Sequence, residues 1–348
     1  MKAVILVGGQ ATRLLPLTNT TPKALVPVVN LPFLEHTIRH LKGHRIKDIV
    51  LALGHLSRPI TEYLGDGRRL GVRLSYVVED TPLGTAGAIK NAERYLDETF
   101  LVLNGDCFTD LDITAMVTRH QERRARVTIA LTPVADPTSY GLVESDAEGR
   151  VSRFLEKPEP SQITTNTINA GIYVLEPEVL AQVPPHTSVS IEREIFPRLL
   201  EQGQPVYAYL SPGYWIDIGT PEKYLQLHRD LLRGKSRQYA PPPGEVVIGK
   251  QSQVHPTARI KGPVAIGDGC TIGRETIIEE AVIWRNVRLG ERVHLRRSIV
   301  ADGCRLGDGS SIEDSVLGDN VTVASGLKLG PGSKIWPGTA VTSAGEKS

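Results

Sequence analysis

Cysteine is scarce in this 348-residue chain. Cys107, Cys270 and Cys304 lack any CxxC spacing, which leaves no disulfide framework and suggests neither a zinc site nor a redox pair. No apolar stretch reaches the ~18 residues of a membrane span, and the run Ala3–Val7 is too short for a signal peptide. Charge of one sign is also missing. Forty basic against 39 acidic side chains leave +1, so no global field argues for a nucleic acid. With five Phe and two Met, the cores must be built from Val, Ile and Leu. These absences lead us to expect a soluble, reduced, cytoplasmic protein with no nucleic acid or membrane partner. The 33 Gly and 24 Pro fall short of a disordered composition. The length is about two domains' worth at ~150 residues each.

Two kinds of sequence follow one another. Up to about Arg233, short apolar runs alternate with helical patterns. Ala3–Val7, Asp48–Leu53, Leu74–Val78 and Phe100–Leu103 read as buried parallel strands. Phe33–His44, Ile60–Leu64, Gly84–Tyr95 and Ile113–Arg124 read as helices. This order predicts an α/β, Rossmann-like domain with a mixed sheet, because Val127–Leu131, Gly141–Glu144, Val151–Leu155 and Ile172–Leu175 then crowd together as further strands. A helix near Ile191–Glu201, strands at Val206–Leu210 and Trp215–Ile218, and a helix at Pro221–Leu232 follow. Residues 234–246, with Pro241-Pro-Pro243, read as a linker. Residues 247–342 then repeat. Ile260, Ile266, Ile272 and Ile278 stand six apart, and Leu289-Gly290, Leu306-Gly307, Leu317-Gly318 and Leu329-Gly330 continue less regularly. A period of six predicts a hexapeptide-repeat parallel β-helix, with three successive coils fitting over 260–278. The domains expected are therefore 1–233 and 247–342.

Leu6-Val-Gly-Gly-Gln-Ala-Thr-Arg-Leu14 sits where the first strand ends. Gly8 and Gly9 allow backbone N–H groups to approach phosphate oxygens, and Arg13 adds a planar fork for them. The stretch is neither a Walker loop nor a GxGxxG. Lys23, in Pro22-Lys23, is the next base, and the pair suits a polyphosphate better than a structural turn does. Asp106, in Asn104-Gly-Asp106, ends an apolar strand, where ligands of open α/β sheets gather. It is a candidate Mg²⁺ ligand, or a turn aspartate. Asp217 lies alone on an apolar strand and needs a metal, Lys or Arg beside it. Glu156-Lys157 pairs an acid and a base that could take a sugar hydroxyl and a phosphate. Ser190 reads as a helix cap with Glu192 and Glu194 in the first turn. His55, His120, His186 and His294 have no partner spacing and read as bystanders.

Taken together, Leu6–Leu14, Pro16-Leu-Thr18, Pro22-Lys23, Leu83-Gly-Thr-Ala-Gly87, Asn104-Gly-Asp106, Tyr140-Gly141, Glu156-Lys157-Pro158, Asn169-Ala-Gly171 and Trp215-Ile-Asp-Ile-Gly-Thr220 resemble the signature of the sugar-1-phosphate nucleotidylyltransferases. The hexad tail is similar to the left-handed β-helix that many members carry. Within the family, Pro82–Gly87, Asn169–Tyr173 and Ser190–Pro197 look most like the mannose-1-phosphate guanylyltransferases. The resemblance implies an NTP (GTP) and a sugar 1-phosphate (mannose 1-phosphate) as substrates, Mg²⁺ as cofactor, and a nucleotide-sugar (GDP-mannose) with pyrophosphate as products. It implies that Arg13 and Lys23 stabilise the triphosphate and that Asp106 and Asp217 hold the metal. Gly8, Gly9, Gly84 and Thr85 would line the base and ribose; Gly141, Glu156, Lys157 and Asn169 would hold the sugar phosphate. One departure stands out: the family's Gly-x-Gly-Thr-Arg reads Gly9-Gln-Ala-Thr-Arg13, and alanine disfavours φ > 0. Glucose 1-phosphate with UTP, dTTP or ATP is the alternative substrate pair, and a catalytically silent subunit that binds nucleotide-sugar is a rival. An acyltransferase tail would need His255 or His294 as base. The tail's expected role is assembly of a homo-oligomer.

Overall fold

The apolar runs of the first half form strands, most deeply buried at Asp48–Leu53 and Phe100–Asn104, and their order decides where a ligand can sit. The computed structural model describes residues 1–9, 11–54 and 57–342. Gln10 and His55 lie outside the described residues. Two compact units result: Met1–Gly9 with Thr37–Trp215, and Gln10–His36 with Ile216–Ser348.

In the first unit, β1 (Lys2–Val7), β2 (Asp48–Leu53), β3 (Arg73–Val78) and β4 (Phe100–Asn104) are parallel, in the order β3-β2-β1-β4. Strand order therefore reverses between β1 and β4, the position at which open α/β sheets bind ligands beyond the strands' carboxyl ends. The added strands are β5 (Val127–Pro133), β6 (Gly141–Ser145), β7 (Val151–Glu156), β8 (Thr167–Leu175) and β9 (Val206–Leu210). Strand β8 runs antiparallel to β4 and to β5, and β7 antiparallel to β6, which makes the sheet mixed. Helices α1 (Phe33–Gly43), α2 (Ser57–Leu64), α3 (Gly84–Asn91) and α4 (Ile113–Glu122) fall where the helical spacing predicts them. The core joins Val4, Phe100, Val102, Tyr173 and Leu175 to Phe196 of α5 (Phe196–Glu201). His120 is a core histidine, bonded to Thr128 Oγ1 at 2.8 Å and Glu176 Oε1 at 3.0 Å.

In the second unit, α6 (Pro221–Leu232) has Pro at its first turn, and its Thr220 cap accepts from the Lys223 N–H at 3.4 Å. Beyond it lie three parallel sheets of six, six and five short strands, wound as a β-helix. The coil is longer than the hexad suggests. Ile260, Ile266 and Ile272 occupy the three different sheets, and Ile278 pairs back onto Ile260, so 260–278 spans one coil rather than three. A coil takes 18 residues where Val246 pairs with Val264, and 17 where Ala265 pairs with Val282. Each 17-residue coil loses one residue from one hexad, which blurs the sequence beat after 278. The inward apolar residues, such as Ile266, Ile283, Leu295, Leu306 and Ile312, fill a continuous core.

Candidate active site

In the first unit, Gly8 and Gly9 follow β1, and Asn104 ends β4 with Gly105 and Asp106 after it; these two strands flank the point of reversal. Among the described residues, Asn104 Oδ1 is buried yet accepts no hydrogen bond. An orphaned acceptor there costs free energy unless a ligand or water meets it. The thiol of Cys107 approaches Asp106 Oδ1 at 3.6 Å.

Helix α3 opens at Gly84, whose φ of +67° suits glycine, and a Cβ there would lie 2.6 Å from the Val189 carbonyl oxygen. The motif Leu83-Gly-Thr-Ala-Gly87 is thus fitted to the strap 187–189, with Ala86 N donating to Val189 O at 2.9 Å. The strap delivers Ile191–Ile195, a single π-helical turn of the kind that recurs at functional sites. Ser190 caps it as expected, accepting from Arg193 N at 3.2 Å, while Glu194 accepts from Ser190 N at 2.8 Å. Glu192 turns the other way. It accepts from Thr85 Oγ1 at 2.6 Å, Ser190 Oγ at 2.9 Å and the Tyr173 hydroxyl at 3.2 Å.

Tyr173 in turn accepts from Asn169 Nδ2 at 2.7 Å. Asn169 lies on a bulge of β8, where the five residues from Asn169 to Tyr173 face the three from Leu131 to Ile129 of β5 and Gly171 takes φ +72°; such bulges re-aim side chains. Sequence reasoning passed over Glu192 as an ordinary helix-start acid. The available signal was two acids two apart, which cannot share one helix face.

Gly141 pairs with Glu156 in the β6–β7 register, and the exposed Lys157 follows with φ +52°, its N–H on the Tyr140 carbonyl at 3.1 Å. Glu156 is held above the usual carboxylate range, first by burial and then by the charge of Glu192, against Lys157 and Arg193.

In the second unit, Ala11 takes the left-handed φ of 48° despite its side chain, a cost of about 1–2 kcal/mol. Its carbonyl is held by Thr18 Oγ1 at 2.9 Å and by Leu14 N at 3.0 Å. Arg13 lies in the 3-10 turn Thr12–Leu14 that follows, and Lys23 opens another after Pro22. Asp217 is buried and ion-paired with Lys223 of α6, so of the possible partners the sequence left open, a lysine is present. Gly219 lies between Arg13 and Asp217: a Cβ there would be 2.7 Å from Asp217 Oδ2 and 3.0 Å from Arg13 Nη2. Asp106 belongs to the first unit; Arg13, Lys23 and Asp217 belong to the second.

Asp106 in the first unit and Asp217 in the second each carry a carboxylate, a hard oxygen donor of the kind that suits a divalent cation such as Mg²⁺. In the tail, His255 Nδ1 bonds Thr257 Oγ1 at 2.9 Å, and His294 is exposed on a β-helix strand. No helix among the described residues is long and apolar enough to cross a membrane.

Comparison with known proteins agrees with this layout. The nucleotidyl transferase family matches residues 2–234, and the EIF2B subunit epsilon LbH domain, a left-handed β-helix, matches 240–343. A mannose-1-phosphate guanylyltransferase of Mycobacterium tuberculosis is 40% identical over 99% of this chain and 96% of its own length. A UTP–glucose-1-phosphate uridylyltransferase of Synechocystis is 32% identical over 86% of this chain and 87% of its own. The crystal structure of HddC from Yersinia pseudotuberculosis complexed with GMP-PN superposes with a TM-score of 0.56 at 30% identity, covering 65% of this chain and 97% of that one.

Proposed function

We propose that this chain, which belongs to the nucleotidyl transferase family and is a sugar-1-phosphate nucleotidylyltransferase, makes GDP-mannose and pyrophosphate from GTP and mannose 1-phosphate. The observation that carries the choice of substrates is the 40% identity to the mycobacterial guanylyltransferase across both the catalytic segment and the tail. In the reaction, a phosphate oxygen of the sugar 1-phosphate attacks the α-phosphorus, the bond to the bridging oxygen breaks, and pyrophosphate leaves with the electron pair. Little covalent work falls to the protein in such a displacement, so positioning and charge neutralisation carry the rate.

We assign residues 1–233 to catalysis, 234–246 to the linker and 247–342 to the β-helix. Arg13 and Lys23 neutralise the triphosphate and the departing pyrophosphate. Gly8, Gly9, Gly84 and Thr85 approach the base and ribose. Lys157 binds the sugar phosphate, while Glu156, Asn169 and the Gly141 backbone hold the sugar. Asp106 and Asp217 would hold Mg²⁺, which would supply charge neutralisation at the phosphates. Copies of the chain associate through the β-helix, and light scattering giving a monomer at working concentration would remove that assignment.

A matrix of GTP, ATP, UTP and dTTP against mannose and glucose 1-phosphates with Mg²⁺, read by pyrophosphate release, tests the substrates. The expected maximum is GTP with mannose 1-phosphate. A maximum for UTP with glucose 1-phosphate would transfer the reading to the activity named for the Synechocystis relative.

The Glu156 environment gives a pH signature. A carboxylate with a raised pKa takes up its proton at a higher pH than usual, and a protonated Glu156 accepts poorly from a sugar hydroxyl. KM for the sugar 1-phosphate is therefore expected to rise as pH falls through that raised pKa. Glu192→Gln removes the second cause of the shift and moves the rise to lower pH. A pH profile of KM unchanged by Glu192→Gln would assign the titration to another group.

A further inference from the structure

Between Ala11 and Pro32 the second unit has little regular structure of its own: three 3-10 turns and the two-residue hairpin Pro27-Val28/Leu31-Pro32. A segment like that keeps one conformation only if other parts of the molecule take up its polar groups. The β-helix and α6 do so on both sides of Lys23. Before it, the Thr20 hydroxyl donates to Asp319 Oδ2 of the β-helix. After it, the Tyr224 hydroxyl of α6 donates to the Pro27 carbonyl and accepts from Trp284 Nε1 at 3.0 Å.

Trp284 and Tyr224 are both fully buried. His228 Nε2 accepts from Val29 N at 3.1 Å while its Nδ1 donates to the Tyr224 carbonyl at 2.9 Å. Burial depresses the His228 pKa to about 4, which keeps the ring in that neutral tautomer at working pH. Asn30 Nδ2 donates to the Ile266 carbonyl at 2.6 Å. The hairpin tip itself is strained: Val29 and Asn30 have φ of 47° and 64°, a costly region for a β-branched residue. Such strain persists where surrounding contacts over-determine it, and His228 and the Ile266 carbonyl supply those contacts.

We propose that the β-helix sets the position of Lys23: Tyr224 and Trp284 are positioning residues that fix the Pro27 end of its turn, and Asp319 fixes the Thr20 end. The proposal rests on the assignment of Lys23 to the triphosphate. It makes the tail part of the catalytic apparatus in addition to any role in assembly. Its physical basis is that displacing a charged group by ~1 Å from a developing charge can cost about a hundredfold in rate.

A double-mutant cycle tests it in the full-length protein. Tyr224→Phe keeps the ring and loses both hydrogen bonds of the hydroxyl. Alone, it is expected to lower kcat about tenfold and leave KM for the sugar 1-phosphate unchanged. In a Lys23→Ala background it is expected to lower kcat less than about twofold, because residues that act through one another are not additive. Leu295→Ala, in the β-helix core, serves as the comparison for stability: it is expected to lower Tm with kcat unchanged.

A wild-type kcat for Tyr224→Phe, or an equal loss in both backgrounds, would overturn the proposal and leave the Lys23 assignment standing. Near-normal turnover of Lys23→Ala alone would instead remove that assignment. Should Tyr224→Phe fail to fold, Thr20→Val at the exposed end of the turn runs the same cycle with the same outcomes.

Discussion

Lys23→Ala is expected to lower turnover roughly 10²–10³-fold while the protein stays folded. Lys23 opens a short 3-10 turn and is half-buried, so truncating it leaves no cavity in the core. On the proposed assignment, what is lost is a cation that neutralises the departing pyrophosphate, and charges of that kind are typically worth ~3–4 kcal/mol. The measurement is steady-state pyrophosphate release alongside a thermal melt. A melt matching the wild type with turnover reduced less than fivefold would take Lys23 out of the mechanism.

Asp106→Asn is expected to produce a loss of similar size, about 10²–10³-fold, and to raise the Mg²⁺ concentration needed for half-maximal rate. The replacement is isosteric and the residue is only partly buried after β4, so Tm should hold. Asp217→Asn separates the two carboxylates. It removes the acid partner of Lys223, so it should lower Tm as well as turnover, because a partly buried ammonium then loses its counter-charge. Equal metal titrations for wild type and Asp106→Asn would exclude Asp106 as a metal ligand.

Much of this architecture was legible in the sequence because burial writes itself as pattern. β2 and β9 match the expected spans, and so does α6, whose start carries both a threonine cap and a proline. The reversal of strand order could be anticipated only as fold class, since strand order follows from pairing between distant runs. Gly141, Glu156 and Asn169 stood out by local motif, whereas the Gly141–Glu156 pairing and the bulge at Asn169 are register features that appear only in the fold.

Glu192 does lie in the first turn, as its position suggests, but its bonds to Thr85 and Tyr173 join residues 107 and 19 positions away, which no local pattern shows. The coil length was misread for a related reason: six residues span one face, and a 17-residue coil breaks the beat once per turn. The attachment of residues 11–36 to the second unit was invisible, since it rests on hydrogen bonds between groups about 200 or more positions apart in the chain, such as Tyr224 to Pro27 and Thr20 to Asp319.

Stacked repeats usually gain and lose units freely, since each touches only its neighbours. Here the attachment points of one loop fall at Ile266, Trp284 and Asp319, on the second, third and fifth rungs of a single face. At ~4.8 Å per rung, the outermost pair lies about 14 Å apart along the stack. The solenoid therefore works as a ruler. Adding or removing one rung between Trp284 and Asp319 would slide the far mark by about 5 Å, beyond the reach of Thr20, so the number of turns there is as constrained as any side chain.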